Sequence, residues 1–215
     1  NWGYEAIGRF DSWEQIANYP VDNDRKGNRT VVPGDIMYKD QNNDGVINYL
    51  DERPIGYRVD STPTLNFGIN LSASWKGFDL AMDWTGSGMT SWNQCYETAR
   101  PFQNDGNSPD EVLKDAWHLS DIWDANSPLI PGKYPMVRLN TDETSAYDKS
   151  SYWLHNVTYL KLRNLEVGYT FPKTWLNRTG ISNLRLFVSG TNLLTLSNLS
   201  VMDPECASDN GLDYP

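Results

Sequence analysis

The sequence predicts an all-β fold made of long strands of the kind that cross a membrane as part of a barrel. Apolar and polar side chains alternate over segments of about 10 residues, the length that a tilted strand needs to cross a bilayer. Aromatic residues make up 13% of the chain, with nine Trp and twelve Tyr. Short and long connections also alternate between the segments, which is typical of outer-membrane barrels.

Composition excludes several other classes of protein. The formal net charge is -10, which argues against a nucleic-acid partner. No run of about 18 apolar residues is present, so the sequence contains no candidate transmembrane helix. The chain starts at Asn1 without a signal-peptide pattern. We therefore expect residues 1–215 to be an internal piece of a longer chain.

The first predicted element is a β-hairpin at residues 64–86. Apolar residues recur at every second position of its first strand: Leu65, Phe67, Ile69, Leu71, Ala73 and Trp75. Lys76-Gly77 is the predicted tight turn, and the second strand repeats the alternation. Three aromatic residues fall near the predicted strand ends, where the aromatic girdles of a membrane barrel belong: Trp75, Phe78 and Trp84.

A second β-hairpin is predicted at residues 157–194. Its first strand ends at Phe171-Pro172, and its apolar positions change parity at Arg163-Asn164. Such a change indicates a β-bulge that returns the apolar side chains to one face. The last strand, from about residue 183, has a weaker pattern because Phe187 stands among its polar positions.

Long polar segments connect these hairpins, and we assign residues 33–62, 87–156 and 195–215 to extracellular loops. Within the second loop, Ser108 is the predicted N-cap of a short helix that runs to Leu119, with Glu111 completing a capping box. About four strands cannot close a barrel, since the smallest have eight. The other strands of the barrel and outer-membrane lipid are therefore expected partners.

An acidic loop precedes the first hairpin, at residues 40–51. Side-chain oxygens occupy loop positions one, three, five, nine and twelve: Asp40, Asn42, Asp44, Asn48 and Asp51. Gly45 at position six permits a sharp turn, and Val46 at position seven offers a carbonyl, as in EF-hand calcium loops. Aspartate at position twelve resembles dockerin-type loops. We expect a structural Ca²⁺ here; the alternative is a polar turn without a ligand.

The sequence contains no recognisable catalytic site. His118 and His155 are the only histidines, and neither a phosphate-binding loop nor a nucleophile elbow is present. We therefore expect that the protein is not an enzyme. Cys95 and Cys206 are candidates for a disulfide, with two unpaired thiols as the alternative.

A series of short motifs resembles one family across nearly the whole chain. In order, the motifs are Trp13-Glu14-Gln15-Ile16, Pro33-Gly34-Asp35-Ile36, the acidic loop, Arg53-Pro54-Ile55-Gly56, Lys76-Gly77-Phe78-Asp79-Leu80, Tyr159 to Leu165, Gly168 to Pro172, Gly190 to Leu194 and Asp203-Pro204-Glu205. Together they resemble the C-terminal part of the SusC/RagA-type TonB-linked outer-membrane transporters of Bacteroidetes.

This resemblance implies a location in the bacterial outer membrane. It also implies the C-terminal strands of a large transmembrane β-barrel of 22 strands, closed by an N-terminal plug. A SusD-like surface lipoprotein would cover the barrel and capture a glycan or peptide, while TonB would act through the plug. The implied function is nutrient import.

Several side chains are candidate contacts for a transported ligand. Charged residues at polar strand positions could line the lumen: Asp79, Asp83, Lys161 and Arg163. Aromatic residues in or near the long loop could stack on sugar rings: Trp92, Tyr96 and Trp153. Solvated barrel interior and loop packing are their ordinary alternatives.

Two other functions compete with import. A soluble calcium-dependent carbohydrate-binding or dockerin-like module would account for the acidic loop and the tryptophans, but not for the long alternating strands. A glycan-cleaving enzyme would need two carboxyl groups placed together, and nothing in the sequence positions such a pair.

Overall fold

The computed structural model describes residues 1–59, 62–139, 143–177, 180–199 and 202–205. The strands are β1 (Trp2–Gly3), β2 (Ala6–Arg9), β3 (Ile36–Tyr38), β4 (Arg53–Pro54), β5 (Leu65–Trp75), β6 (Phe78–Asn93), β7 (His118–Leu119), β8 (Leu129–Ile130), β9 (Leu154–Thr170) and β10 (Arg185–Ser197). The α-helices are α1 (Trp13–Ala17), α2 (Asp110–Lys114) and α3 (Lys173–Leu176). No helix within the described ranges has the length and apolar character needed to cross a membrane.

The described residues form two compact units. Residues 1–59, 91–139 and 143–156 make up the first, which we call the loop unit. The second, the strand unit, comprises the described residues between 62 and 90 and between 157 and 205. The boundaries fall within β6 and β9, so both of these strands contribute residues to both units.

A four-stranded antiparallel sheet in the order β10-β9-β6-β5 dominates the strand unit. β5 and β6 pair from Trp75 opposite Phe78 to Leu65 opposite Gly88. Lys76 and Gly77 both have positive φ, at 49° and 91°, which is the geometry of a type I′ hairpin turn. The predicted strand Leu65–Trp75 and its turn are thus confirmed.

The predicted bulge at Arg163-Asn164 is confirmed by the contacts of these two residues. Although they are adjacent in β9, both side chains reach the same face of β6: Arg163 donates to Thr85 and Asn164 donates to Asp83. An unbulged strand would direct neighbouring side chains to opposite faces. The β9–β10 register also shifts at this level, with Asn192 in the left-handed region of β10.

β6 is longer than the alternation predicts, because it continues to Asn93 instead of ending near residue 86. Gly86, Ser87 and Gly88 carry little or no side chain, so they interrupt the hydrophobic pattern without interrupting backbone pairing. Trp84 therefore lies inside the strand and not at its end. β9 likewise begins at Leu154, and β10 runs from Arg185 to Ser197.

The predicted helix from Ser108 to Leu119 is wrong in its length and its cap. Helix α2 covers only Asp110–Lys114, and Pro109 occupies the N-cap position without a side-chain cap. The helix ends because the following backbone pairs elsewhere: the Trp117 amide donates to the Tyr134 carbonyl at 2.9 Å. Residues 118–119 are then taken up by the β7–β8 pair.

The core of the loop unit is made of buried aromatic and aliphatic side chains from distant segments. The largest cluster contains Tyr4, Ile36, Tyr38, Ile47, Ala99, Val112, Ala116, Tyr134, Ala146, Tyr147 and Trp153. A second cluster joins Phe10, Ile16 and Val31 below helix α1, whose N-cap Ser12 accepts from the Gln15 amide. These two clusters hold together a unit that has little regular secondary structure.

Candidate functional site

The sheet of the strand unit has one apolar and one polar face. Large apolar side chains of the apolar face remain exposed: Leu65, Phe67, Ile69, Leu71, Trp75, Phe78, Val167, Leu186, Val188, Leu194 and Leu196. A soluble sheet would bury such a surface under another layer. A lipid-facing barrel surface has this composition.

Aromatic rings surround the end of the sheet that carries the β5–β6 turn. Phe78 contacts Tyr169 with ring centroids 4.6 Å apart, Tyr169 contacts Phe171 at 5.1 Å, and Phe171 contacts Trp175 at 6.2 Å. Trp75 is exposed beside them. This arrangement agrees with the predicted girdle positions of Trp75 and Phe78.

The polar face carries a network of charges. The Arg185 guanidinium pairs with both Asp79 and Glu166, the latter at 2.5 Å. Asn164 donates to Asp83 Oδ2 at 3.2 Å. Asp79 and Asp83 therefore lie on one face as predicted, but both have protein partners. Sequence reasoning missed Arg185 and Glu166, because only the register of β6, β9 and β10 brings them together.

Lys161 and Arg163 hold a separate acidic segment, which we call the acidic strap (Asp203–Glu205). Lys161 Nζ lies 2.7 and 2.8 Å from the two carboxylate oxygens of Asp203 and 2.9 Å from Glu205 Oε2. Arg163 pairs with the other oxygen of Glu205. Only 4% of Lys161 is exposed, so its charge is neutralised within the protein and is not open to solvent.

The acidic loop is closed by hydrogen bonds from its own backbone. Asp40 Oδ1 accepts from the Asn43 amide at 2.7 Å, and Asp40 Oδ2 accepts from the Gly45 amide at 2.8 Å. Gly45 has a φ of +84°, as a sharp turn at position six requires. Hydrogen bonds from the Val46 amide and the Asn42 side chain lower the pKa of Asp44, which keeps its carboxylate charged.

The far end of the loop is fastened by Asp51, which is fully buried. Its two oxygens accept from the Gln41 amide at 2.8 Å and the Asn48 amide at 2.9 Å. Asn48 Nδ2 donates to the Val46 carbonyl at 3.1 Å, so loop positions seven and nine converge.

The oxygen atoms of the acidic loop are of the kinds that bind a hard cation. Each carboxylate oxygen has two lone pairs, so Asp51 keeps acceptor capacity beside its backbone bonds. Carboxylate, amide and carbonyl oxygens are the ligands that Ca²⁺ takes. No cluster of three or more His, Cys, Asp or Glu side chains with metal-binding geometry is found in the described residues. The loop would have to combine its carboxylates with Asn and carbonyl oxygens.

A second polar loop, residues 22–30, packs against the acidic loop. The Asp22 amide donates to the Gly45 carbonyl at 2.8 Å, and the Ile47 amide donates to the Asp22 carbonyl at 3.0 Å. Asp24 organises this second loop through hydrogen bonds from residues 26, 28 and 30. Ile47, at loop position eight, is fully buried and fixes the acidic loop to the core.

Two of the three aromatic candidates for sugar stacking are core residues. Trp92 is fully buried and stacks on His155 at 5.5 Å. Trp153 is 1% exposed and stacks on Tyr134 and Tyr147. Their ring faces are covered, so they cannot offer a stacking surface, which corrects that expectation. Tyr96 remains 45% exposed.

The predicted disulfide involves a residue outside the described ranges, Cys206, so it stays a prediction. Burial raises the pKa of the Cys95 thiol to about 11. Cys95 therefore carries almost no thiolate at neutral pH, and the structure offers it no role as a nucleophile.

Comparison with known proteins decides the family. The chain is 30% identical over 225 residues to the TonB-dependent receptor P3 of Formosa agariphila, a match that covers 98% of this chain. It is 27% identical to the TonB-dependent receptor P26 of the same organism, over 94% of its length. The chain belongs to the TonB-dependent receptor family. The resemblance drawn from its motifs is thereby confirmed.

Solved structures support the same fold for this TonB-dependent receptor chain. The RagAB peptide transporter matches 97% of it with a TM-score of 0.56 at 21% identity. The closed-closed state of the RagAB peptide importer matches 99% with a TM-score of 0.58 at 20% identity. The four long strands thus belong to a β-barrel that they do not close. A scan against family models finds no match.

The family also gives the location, which is the bacterial outer membrane. This location excludes the alternative of a soluble module. The chain spans about a fifth of its relatives, covering 21% of receptor P3 and 19% of receptor P26. What an intact receptor imports, and with which partners, is therefore a matter for proposal.

Proposed function

We propose that this chain is part of a TonB-dependent importer that takes up a peptide or an oligosaccharide across the outer membrane. A SusD-like surface lipoprotein captures the nutrient, and TonB drives its passage through the plug of the intact receptor. The observation that carries this proposal is the two-faced sheet of the strand unit. Its exposed apolar side chains suit lipid, and its opposite face carries paired charges that suit a water-filled lumen.

Because these charges are paired, they suit the polar wall of a lumen better than a binding site for one ion. Asp79, Lys161 and Arg163 each have an oppositely charged partner in the strand unit. The part of the lumen wall that these strands would form is therefore polar without a strong field of one sign. The RagAB structures, whose names describe a peptide transporter, favour peptides as the first class to test.

Uptake by cells that carry the intact receptor tests this function. Deletion of the receptor gene should abolish accumulation of a labelled peptide mixture or of labelled oligosaccharides, and the wild-type gene should restore it. A protonophore should also stop accumulation, because TonB draws on the energised inner membrane. Unchanged uptake of both nutrient classes after deletion would refute the proposal. Uptake that depends on the receptor gene but continues in the presence of the protonophore would also refute it.

We also propose that the acidic loop binds one structural Ca²⁺. The expected ligands are Asp40, Asn42, Asp44, Asn48, Asp51 and the Val46 carbonyl. Support comes from the sharp turn at Gly45, the lowered pKa of Asp44 and the attachment of Ile47 to the core. The ion would order an exposed loop. It would not switch the protein between two conformations, because Asp51 already fastens the ends of the loop.

Equilibrium calcium binding by the intact receptor tests this site. The double variant Asp40→Ala with Asp44→Ala should lose one bound Ca²⁺ per receptor. Asp11→Ala, which removes an exposed carboxylate elsewhere in the loop unit, should keep it. Retention of the full calcium stoichiometry by the double variant would remove the metal assignment.

A further inference from the structure

The end of the sheet that carries the short connections is basic. These connections are the β5–β6 turn (Lys76-Gly77) and the segment between β9 and β10 (171–184). Together they contain Lys76, Lys173 and Arg178, and neither Asp nor Glu. The whole chain has a net charge of -10, so the positive charge at this end runs against the overall composition. A local excess of one sign attracts partners of the opposite sign.

An aromatic girdle lies on the apolar face at the same end of the sheet, and its members are Trp75, Phe78, Tyr169, Phe171 and Trp175. Trp75 is directly opposite Phe78 in the β5–β6 pairing, and the contact between Phe78 and Tyr169 continues this surface onto β9. Trp75 is 69% exposed and Trp175 is 65% exposed. Trp and Tyr side chains concentrate at the depth of lipid headgroups, because part of each ring is apolar and part is polar.

Lys76 places an ammonium group at this girdle. Its Nζ lies 4.7 Å from the centroid of the Trp75 ring, and the residue is exposed. The turn that carries it is attached to the end of β9, where the Thr170 amide donates to the Gly77 carbonyl at 2.7 Å. The face of an aromatic ring attracts a cation, and an ammonium group has three N–H donors. Lys76 can therefore contact the ring and still donate to an anion.

Lys173 brings a second ammonium group to the same end. It is exposed and begins helix α3, and Trp175 of that helix contacts Phe171 of the girdle at 6.2 Å. Within the part of the chain that the structure describes, neither lysine forms an ion pair. The carboxylates of Asp79 and Glu166 lie on the polar face and pair with an arginine there. Both ammonium groups are therefore open to an anion from outside the chain.

The outer face of a closed barrel is open to lipid. The other strands of the barrel pair along the edges of this sheet, which are β5 and β10, and leave its apolar face uncovered. That face suits acyl chains, the girdle suits the depth of the headgroups, and the lysines suit a phosphate. Short connections lie on the periplasmic side of such barrels. The order of these features along the sheet matches a phospholipid from its tails to its headgroup.

We propose that Lys76 and Lys173, with Trp75 and Trp175, bind the phosphate of an anionic glycerophospholipid in the periplasmic leaflet of the outer membrane. The acyl chains lie along the apolar face, and the phosphate oxygens accept hydrogen bonds from the two ammonium groups. This inference depends on the outer-membrane location of the family and not on which nutrient is imported.

Native mass spectrometry of the intact receptor, released from detergent micelles, tests this site. The probes are phosphatidylglycerol and a diacylglycerol with the same acyl chains, which lacks the phosphate. Lys76→Gln with Lys173→Gln should raise the Kd of one phosphatidylglycerol molecule about 30-fold, since each lysine near an anionic headgroup contributes about fivefold. Binding of diacylglycerol should stay unchanged, because the apolar face and the girdle are intact.

Two further variants are the controls. Lys114→Gln with Lys133→Gln makes the same change of charge at exposed lysines of the loop unit, and Lys133 also lies over an aromatic ring, 5.0 Å from the centroid of Tyr134. This variant should keep the Kd of the wild type. Lys76→Arg with Lys173→Arg keeps both charges and should keep phosphatidylglycerol bound, since guanidinium groups also bind phosphate.

Three results would overturn the proposal. The first is an unchanged phosphatidylglycerol Kd in Lys76→Gln with Lys173→Gln. The second is an equal loss of diacylglycerol binding in that variant, which would show damage to the apolar surface and not loss of a phosphate contact. The third concerns the lipid that co-purifies with the wild type and is lost from the variant. It should be a glycerophospholipid, and lipid A in its place would assign the site to the opposite leaflet.

Discussion

Asp24 is the carboxylate on which the order of the second polar loop depends. It is 3% exposed, and its two oxygens together accept four hydrogen bonds. Oδ1 accepts from the amides of Lys26 at 2.9 Å and Asn28 at 2.8 Å. Oδ2 accepts from the Thr30 amide at 2.7 Å and the Thr30 hydroxyl at 2.8 Å. Asp24→Asn therefore replaces one double acceptor by an NH₂ group.

The cost of this substitution follows from the donors left facing that group. Whichever way the amide turns, at least one partly buried backbone N–H loses its acceptor, and the remaining hydrogen bonds are made to a neutral oxygen instead of a charged one. Loss of such hydrogen bonds costs about 3 kcal/mol. Since about 1.4 kcal/mol is tenfold, amide hydrogen exchange at residues 28 and 30 should become about 100-fold faster, whereas the Lys26 amide keeps Asp22 Oδ1 as a second acceptor.

The pH dependence has a definite sign. Burial alone would raise the pKa of Asp24, but the hydrogen bonds from Thr30, Lys26 and Asn28 outweigh it and lower that pKa below its usual value. A lowered pKa in the folded state stabilises the loop above the usual aspartate range, and this stability is lost as pH falls through the lowered value. The difference between wild type and Asp24→Asn should therefore shrink only in strong acid.

Hydrogen exchange of the intact receptor, followed by mass spectrometry of peptides from this loop, measures the effect. Asp22→Asn is the matched control: it removes the same charge from the same loop. It keeps both hydrogen bonds, because the amides of Lys26 and Gly27 reach only Oδ1 of Asp22. If exchange in Asp24→Asn is no faster than in Asp22→Asn, the reasoning is refuted.

Three further predictions concern the sheet and the core. Lys161→Met removes the cation that pairs with Asp203 of the acidic strap, a loss of about 2 kcal/mol for a partly exposed pair. Amide exchange in the strap should therefore rise about 30-fold, and unchanged exchange would contradict the role of this ion pair. Gly77→Ala adds a Cβ 2.7 Å from the Thr170 carbonyl oxygen at a residue with positive φ, so it should cost at least about 1 kcal/mol of stability. The folded band should therefore disappear from the electrophoresis gel after samples are heated to a lower temperature than the wild type requires. Phe10→Ala empties a fully buried site in the loop unit and should cost about 3–5 kcal/mol, seen as faster exchange of the amides below helix α1.

Strand positions were predictable because their signal is local. The alternation from Leu65 to Trp75 and the turn at Lys76-Gly77 depend on neighbouring residues, and the structure confirms both. The parity change at Arg163-Asn164 likewise marks a bulge within one strand. In each case the preference of the backbone and the burial pattern point to the same structure.

The errors occurred where backbone pairing with distant segments replaced the local preference. A capping pattern at Ser108 predicts a helix to Leu119, but the helix ends at Lys114 because Trp117 pairs with Tyr134. The sequence places Trp92 and Trp153 in or near the long loop, yet they lie in or beside long strands and are buried. Burial of a tryptophan depends on what covers it, and the covering residues are remote in sequence.

The class of fold, the first hairpin, the position of the bulge and the family are all apparent in the sequence alone. These properties follow from periodicity, turn chemistry and ordered motifs, all of which can be read along the chain. Which charges meet, such as Arg185 with Asp79 and Lys161 with the acidic strap, becomes apparent only in the folded chain. Such pairs depend on strand register and chain return, and no local pattern encodes the distance between residues so far apart in sequence.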